Sequence, residues 1–217
     1  MHCQIITYPQ LVPYAEALAV QYALAERVGR GDSPDTLLLL EHPPTVTLGR
    51  RAVQSDLKTS EAALKERGFA VERVDRGGEI TYHAPGQLVG YPILDLRRHG
   101  QDLHKYLRDL EEVLIQTLSA YRLAGERVPG RTGVWVHDRK IAAIGIKVSR
   151  WISLHGFALN ISNDLAPFRD DFVPCGISDK GVTSLREQLG AACPARADVE
   201  AVAADKFAKI FGVDLFC

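Results

Sequence analysis

Three apolar segments follow one another with almost no chain between them. They are "GVWVH" (133–137), "KIAAIGIKV" (140–148) and "WISLHGFALNIS" (151–162). Parallel strands need a crossover of a dozen or more residues, so such short connections join antiparallel neighbours. Asp138-Arg139 and Ser149-Arg150 read as tight hairpin turns. The segment just before them reads differently. Over residues 102–124, Leu103, Leu107, Leu110, Leu114 and Leu118 recur at helical steps behind a capping Asp102.

The rest of the chain fits the same mixture. Residues 13–30 carry good helix formers and end in Gly, Asp, Ser and Pro breakers. "TLLLLEH" reads as a buried strand, left through the two prolines of "HPPTVTLGR". "SEAALKER" (60–67) opens with a Ser cap and is closed by Gly68, and "FAVERVDRGG" alternates like a strand up to a glycine pair. "EITYHAPGQLVGYPILDL" reads as two strands around an Ala-Pro-Gly turn, and "ADVEAVAADKFAKIFG" as a terminal amphipathic helix. Strand runs broken by a few long helices predict an α+β fold with a mixed or largely antiparallel sheet and flanking helices. The order lacks the regular βαβ alternation of a doubly wound fold. Residues 1–217 read as a single catalytic domain, the last 40 or so forming a candidate subdomain.

Composition excludes several classes. With 26 Lys and Arg against 27 Asp and Glu, net charge is −1, so no global basic field calls for nucleic acid. No apolar run approaches the roughly 20 residues that span a bilayer, and the first residues lack a secretory pattern. The expected location is the cytoplasm. Cys3, Cys175, Cys193 and Cys217 form no CxxC pair and no zinc or disulfide spacing, so no metal site is expected. A GxxxxGK[ST] loop, GxGxxG, HExxH and GxSxG are all absent.

Three constellations remain. "DRGGEITYHAPGQLVGYP" (75–92) places Gly77 and Gly78 where a backbone can approach a ligand, with Arg76 offering a fork of donors and Tyr82 and His83 polar tips. A glycine-closed hairpin with solvated polar residues explains the spacing equally well. "DRKIAAIGIKVS" starts an apolar strand with Lys140, which a snorkelling lysine also explains; Lys147 falls on the opposite face. Cys175, in "DFVPCGISDKGVTSL", lies in a polar loop rather than a core segment. Asp170 and Asp171 oppose its thiolate, so a nucleophilic role demands a nearby cation. At about 4 Å and an effective dielectric near 20, such a cation contributes on the order of 4 kcal/mol before desolvation. Spacing alone leaves open whether a lysine or one of His42, His83 and His155 supplies it.

"RGGEITYHAPGQLVGYPILDL" (76–96), "RKIAAIG" (139–145), "HGFALN" (155–160) and "FVPCGI" (172–177), with "HPPTVTLGR" (42–50), resemble the ordered signature segments of the lipoyl(octanoyl) transferase family. The resemblance covers residues 35–185 or so. It implies the fold of the biotin/lipoate protein ligase catalytic domain. It further implies that Cys175 is the acyl-thioester nucleophile and Lys140, 35 residues earlier, the lysine that activates it. Arg76, Gly77, Gly78, Glu79, Ile80, Thr81, Tyr82 and His83 would line the acyl-substrate site. Ala143, Ile144, Gly145, Gly156, Phe157 and Ala158 would join them. Phe157 stands where the family often has a smaller residue, which bears on acyl-chain length.

The implied reaction moves an octanoyl or lipoyl group from acyl carrier protein through Cys175 to a lysine of lipoyl domains. The acceptors implied are the 2-oxoacid dehydrogenase complexes and the glycine-cleavage H protein. No cofactor is implied. The rivals are an ATP-dependent lipoate or biotin ligase on the same fold, a Cys-His thiol hydrolase, and a non-catalytic module that binds acyl carriers or lipoyl domains.

Overall fold

A computed structural model describes residues 1–172 and 181–217. Among the described residues, seven strands form one mixed sheet in the order β10-β1-β2-β6-β9-β8-β7, and three form a second in the order β4-β3-β5. The large sheet comprises β1 (His2–Leu11), β2 (Asp35–Glu41), β6 (Gln87–Ile93), β7 (Val134–Val136), β8 (Arg139–Ser149), β9 (Ile152–Asn160) and β10 (Asp214–Phe216). The small one comprises β3 (Thr45–Leu48), β4 (Ala70–Arg73) and β5 (Ile80–His83). β7, β8 and β9 are consecutive antiparallel neighbours, as the short connections require. Their turns sit one residue earlier and one later than expected. His137-Asp138 and Arg150-Trp151 take the corners with all four φ values positive, the pattern of type I′ hairpins.

Helices cover both faces of the large sheet; α4 (Ala166–Asp170) and α5 (Leu185–Leu189) are short. α1 (Tyr14–Arg30) lies against β6 and β9, sharing Leu38, Leu40, Val89 and Ile93 as core. On the other face α3 (Leu103–Ser119) packs beside α6 (Arg196–Phe211). Leu110, Leu114 and Leu118 there meet Leu37, Leu39 and Phe207. Asp102 caps α3 by accepting from the N–H groups of His104 and Lys105. Ser60 caps α2 (Glu61–Glu66) in the same way through Ala63.

Three features depart from the expectations. β1 is absent from the sequence reading; it pairs parallel with β2 and β10, which makes the sheet mixed. β3 is likewise absent from the sequence reading; Thr45–Leu48 pairs with both β4 and β5. The Ala84-Pro85-Gly86 corner does not close a hairpin. It carries the chain from β5 in the small sheet to β6 in the large one.

β6 and β9 approach closely because two glycines lack side chains. A Cβ on Gly90 would stand 2.2 Å from Cζ of Phe157, and one on Gly156 would stand 2.1 Å from the Gly90 carbonyl oxygen. Gly90→Ala and Gly156→Ala are each expected to lower stability in urea unfolding by about 1–3 kcal/mol. Adding Phe157→Leu should recover much of the Gly90→Ala loss, because the obstacle is a side-chain end. It should recover none of the Gly156→Ala loss, where the obstacle is backbone. Equal recovery in both cycles would contradict this packing.

Candidate active site

A cavity of about 490 Å³ opens at the open edge of β8, between the two sheets. Its floor is made by missing side chains. Ala143 pairs across the strands with Ala158, and Gly145 with Gly156, all on the α1 side of β8 and β9. Ile144 and Phe157 are also paired and border the cavity while packing toward the α3–α6 core.

The roof is the 76–79 loop. Its backbone is held by Gly49, Arg50 and Arg51, whose N–H groups donate to the carbonyls of Glu79, Arg76 and Gly78 at 2.7, 3.1 and 3.1 Å. Gly77 donates to Ile146 at 2.8 Å, tying the loop to β8. The Arg76 fork donates to Thr47 Oγ1 and O, to the Gly77 carbonyl and to the Glu79 carbonyl. Arg76 is thus an organiser of the loop as well as part of the cavity wall. The glycines serve the same closeness: a Cβ on Gly145 would stand 3.1 Å from both Arg76 Cδ and the Gly77 oxygen.

Thirteen of the fourteen expected lining residues, Arg76 to Thr81, His83, Ala143 to Gly145 and Gly156 to Ala158, border this one cavity. The exception is Tyr82. β5 alternates, so Tyr82 points the other way, into an aromatic cluster with Phe69, Phe168 and Phe172. Lys140 also borders the cavity. Its Nζ lies 4.8 Å from the Trp135 ring centroid, a cation–π contact. Gly133 passes close beneath it: a Cβ there would come within 3.2 Å of Lys140 Cε and 2.5 Å of the Ala142 oxygen. Cys175 lies outside the described residues. The chain that follows it rejoins the sheet at Lys140. The Lys140 N–H donates to the Gly181 carbonyl at 3.1 Å, and the Thr183 N–H to the Lys140 carbonyl at 2.9 Å. Lys147, the other lysine on β8, ion-pairs with Asp75.

The polar end of the cavity was only partly legible. Gln87 Nε2 donates to the Tyr82 carbonyl and to Asn160 Oδ1, at 3.1 and 2.9 Å. Its Oε1 must therefore accept, so His83 Nδ1 carries the proton shared at 2.8 Å and Nε2 keeps its lone pair. Asn160 Nδ2 in turn donates to Thr183 O at 3.0 Å. His42 Nδ1 donates to the Val12 carbonyl at 2.6 Å, leaving Nε2 to accept from Tyr91 at 2.7 Å. Tyr14 and Tyr91 complete this wall. Gln87, Tyr91 and Asn160 lie inside segments already singled out, whereas Tyr14 opens a helix and carries no local signal. Among the described residues no group of three or more His, Cys, Asp or Glu is arranged to hold a metal ion.

Burial keeps these imidazoles neutral. It pushes His42 down to about 4, against the Val12 hydrogen bond. Burial likewise lowers His83 well below its ordinary value, assisted by the neighbouring His42. The unfolded chain then binds protons that the folded chain refuses, so stability is full above about pH 6.5 and falls with acidification toward 4. For His42 alone that loss is on the order of 3 kcal/mol. His42→Gln is expected to flatten the acid limb of a stability–pH curve between pH 6.5 and 4; an unchanged slope would contradict the assignment.

Comparison with known proteins places this architecture. Residues 13–209 match the model of the lipoyl protein ligase A/B catalytic domain. A Nostoc punctiforme protein named octanoyltransferase is 52% identical over 207 residues, covering 94% of this chain and 87% of that one. Octanoyltransferases of Synechococcus elongatus and Chloroflexus aurantiacus are 54% and 48% identical, covering 93% and 99% of this chain and 84% and 96% of theirs. Among solved structures, the putative lipoate protein ligase Ta0514 of T. acidophilum superposes with a TM-score of 0.76 at 16% identity, covering 100% of this chain and 88% of that one. A biotin protein ligase from Aquifex aeolicus gives 0.57 at 14% identity, covering 98% and 70%. The solved structures speak to the fold, and the near-full-length relatives to descent: the chain belongs to the lipoyl protein ligase A/B catalytic-domain family.

Proposed function

We propose that this protein is an octanoyltransferase that carries the acyl group on Cys175, with Lys140 as the cation that ionises the thiol. The reading is supported above all by Lys140. It stands at the wall of a small-residue cavity, and its backbone holds the chain that returns from Cys175. Gly181 is bonded to Lys140, and Cys175 lies six residues before it. An extended chain of six residues spans at most roughly 20 Å, which bounds the separation between Cys175 and this anchor. The relatives named octanoyltransferase, at about half identity over nearly the whole chain, support the same reaction class.

The chemistry follows from the groups present. The Cys175 thiolate attacks the carbonyl of an octanoyl thioester on acyl carrier protein. Its sulfur–carbon bond forms as the carrier's sulfur leaves with the electron pair. Exchange of one thioester for another is nearly isoenergetic, so the step requires no nucleotide. Protonated Lys140 stabilises the thiolate and gives a proton to the departing thiol. The amine of an acceptor lysine then attacks the acyl-enzyme, forming an amide and restoring the Cys175 sulfur. The paired Ala143, Ala158, Gly145 and Gly156 offer the smooth apolar surface along which an eight-carbon chain fits. Lipoyl domains of 2-oxoacid dehydrogenase complexes and the glycine-cleavage H protein are the proposed acceptors. Residues 76–83, 143–145 and 156–158 contribute the binding wall, Tyr82 by supporting it from behind.

Mixed with octanoyl-acyl carrier protein and no ATP, the wild-type chain should gain one octanoyl group by intact mass and pass it to a lipoyl domain. Cys175→Ala should gain none while keeping its unfolding temperature. An octanoyl adduct retained on the variant, or transfer that depends on ATP, would overturn this function.

A further inference from the structure

His155 breaks the pattern of its own strand. β9 runs extended from Ile152 to Asn160, yet His155 has a φ of 58°. That left-handed conformation is strained in a buried non-glycine residue and marks functional sites more often than ordinary core. Its consequence is visible. Ile146, paired with it across the sheet, packs toward the α3–α6 core. The imidazole instead turns to the opposite face and reaches Tyr14 of α1. The His155 N–H donates to Gln21 Oε1 at 2.8 Å.

The ring is fully partnered. Nε2 lies 3.0 Å from Asp75 Oδ1, and a carboxylate can only accept, so Nε2 bears the proton. Nδ1 is left to accept from the Tyr14 hydroxyl at 3.2 Å. His155 is 1% exposed, Asp75 38%. Asp75 also accepts from Tyr22 at 2.7 Å and pairs with Lys147. Tyr14, only 3% exposed, borders the cavity and stacks on His83 at 5.8 Å. A continuous line of hydrogen bonds thus joins the cavity wall to a half-exposed carboxylate.

Aminolysis of a thioester needs a group that takes up a proton. When the lysine amine attacks, the new C–N bond leaves the nitrogen with one proton too many inside a closed cavity. We propose that Tyr14 and His155 take up that proton, with Asp75 holding the imidazolium that results, an inference that rests on the acyl-transfer reading above. The proton passes from nitrogen to the Tyr14 oxygen while the Tyr14 proton passes to His155 Nδ1. The C–S bond breaks, and its electron pair returns to the Cys175 sulfur. The imidazolium is held against Asp75; once the product leaves, it returns the Nδ1 proton through Tyr14 to water entering the cavity, regains its Nε2–H tautomer, and that proton replaces the one Lys140 gave to the carrier thiol. Tyr14 never has to ionise, which suits a hydroxyl that burial pushes up to about 12. The charged or titratable groups facing His155 are Asp75, Arg76, Lys147, Tyr14 and His83. Burial outweighs the Asp75 hydrogen bond and lowers His155, so the ring is neutral and able to accept at neutral pH.

Rapid-quench intact mass spectrometry of the full chain, with octanoyl-acyl carrier protein and a lipoyl domain, separates acylation from transfer. Tyr14→Phe keeps the ring and removes only the hydroxyl. It should leave acylation within about threefold and slow transfer by about 100-fold. It should also abolish the decline of the transfer rate at acidic pH. Asp75→Asn should slow transfer and move that decline. Transfer unchanged in Tyr14→Phe, or both steps falling in parallel, would overturn the relay. Absence of any acyl-enzyme in the wild type would instead remove the acyl-transfer reading, and the relay with it.

Discussion

The site depends on side-chain volume withheld from two paired strands. Ala143 opposite Ala158 and Gly145 opposite Gly156 leave one patch of an otherwise filled sheet without bulk. Everything above that patch is arranged to keep it from collapsing. The 76–79 loop arches over it, bonded to Gly49–Arg51 on one side and Ile146 on the other. Arg76 fills the arch from within, donating to the carbonyls of Thr47, Gly77 and Glu79. The cost is tight packing elsewhere: Phe157 presses on Gly90 and Gly156 on the Gly90 backbone. The cavity is therefore a property of the β6–β9–β8 register, not of a loop that could be exchanged.

Electrostatics divides the cavity in two. At one end Lys140 lies over the Trp135 face beside the returning chain. At the other, His42, His83 and His155 are kept neutral by burial, their tautomers fixed by Val12, Gln87 and Asp75. The proposed reaction would use both ends: a cation at the first for a thiol flanked in sequence by Asp170 and Asp171, and acceptors at the second for the proton an amine sheds. Asp171 itself is drawn away from the problem, since Arg67 and Thr59 both bond its carboxylate.

The fold was legible where local periodicity meets short connections. Asp102 and the leucine stripe of α3 and the antiparallel β7–β8–β9 unit follow from the residues alone. β1 did not, because its pairing is parallel and non-local, with partners thirty or more residues away. The Ala84-Pro85-Gly86 corner looked like a hairpin turn, since nothing local says that β5 and β6 join different sheets. The lining residues were legible through family resemblance rather than spacing. The alternation of β5 then separates Tyr82 from Thr81 and His83, a distinction visible only once the strand's pairing is known. Tyr14 and the left-handed His155 were invisible, because a helix-opening tyrosine and a strand histidine carry no signal of meeting across the sheet.

The central claim is that Lys140 makes Cys175 a thiolate. It is tested most directly by the pH dependence of Cys175 alkylation with iodoacetamide, followed by peptide mass spectrometry in wild-type protein and in Lys140→Ala. The account predicts a wild-type thiol that reacts well below the ordinary value of about 8.5 and a variant whose profile moves upward. Superimposable profiles would contradict it and give the task to a histidine.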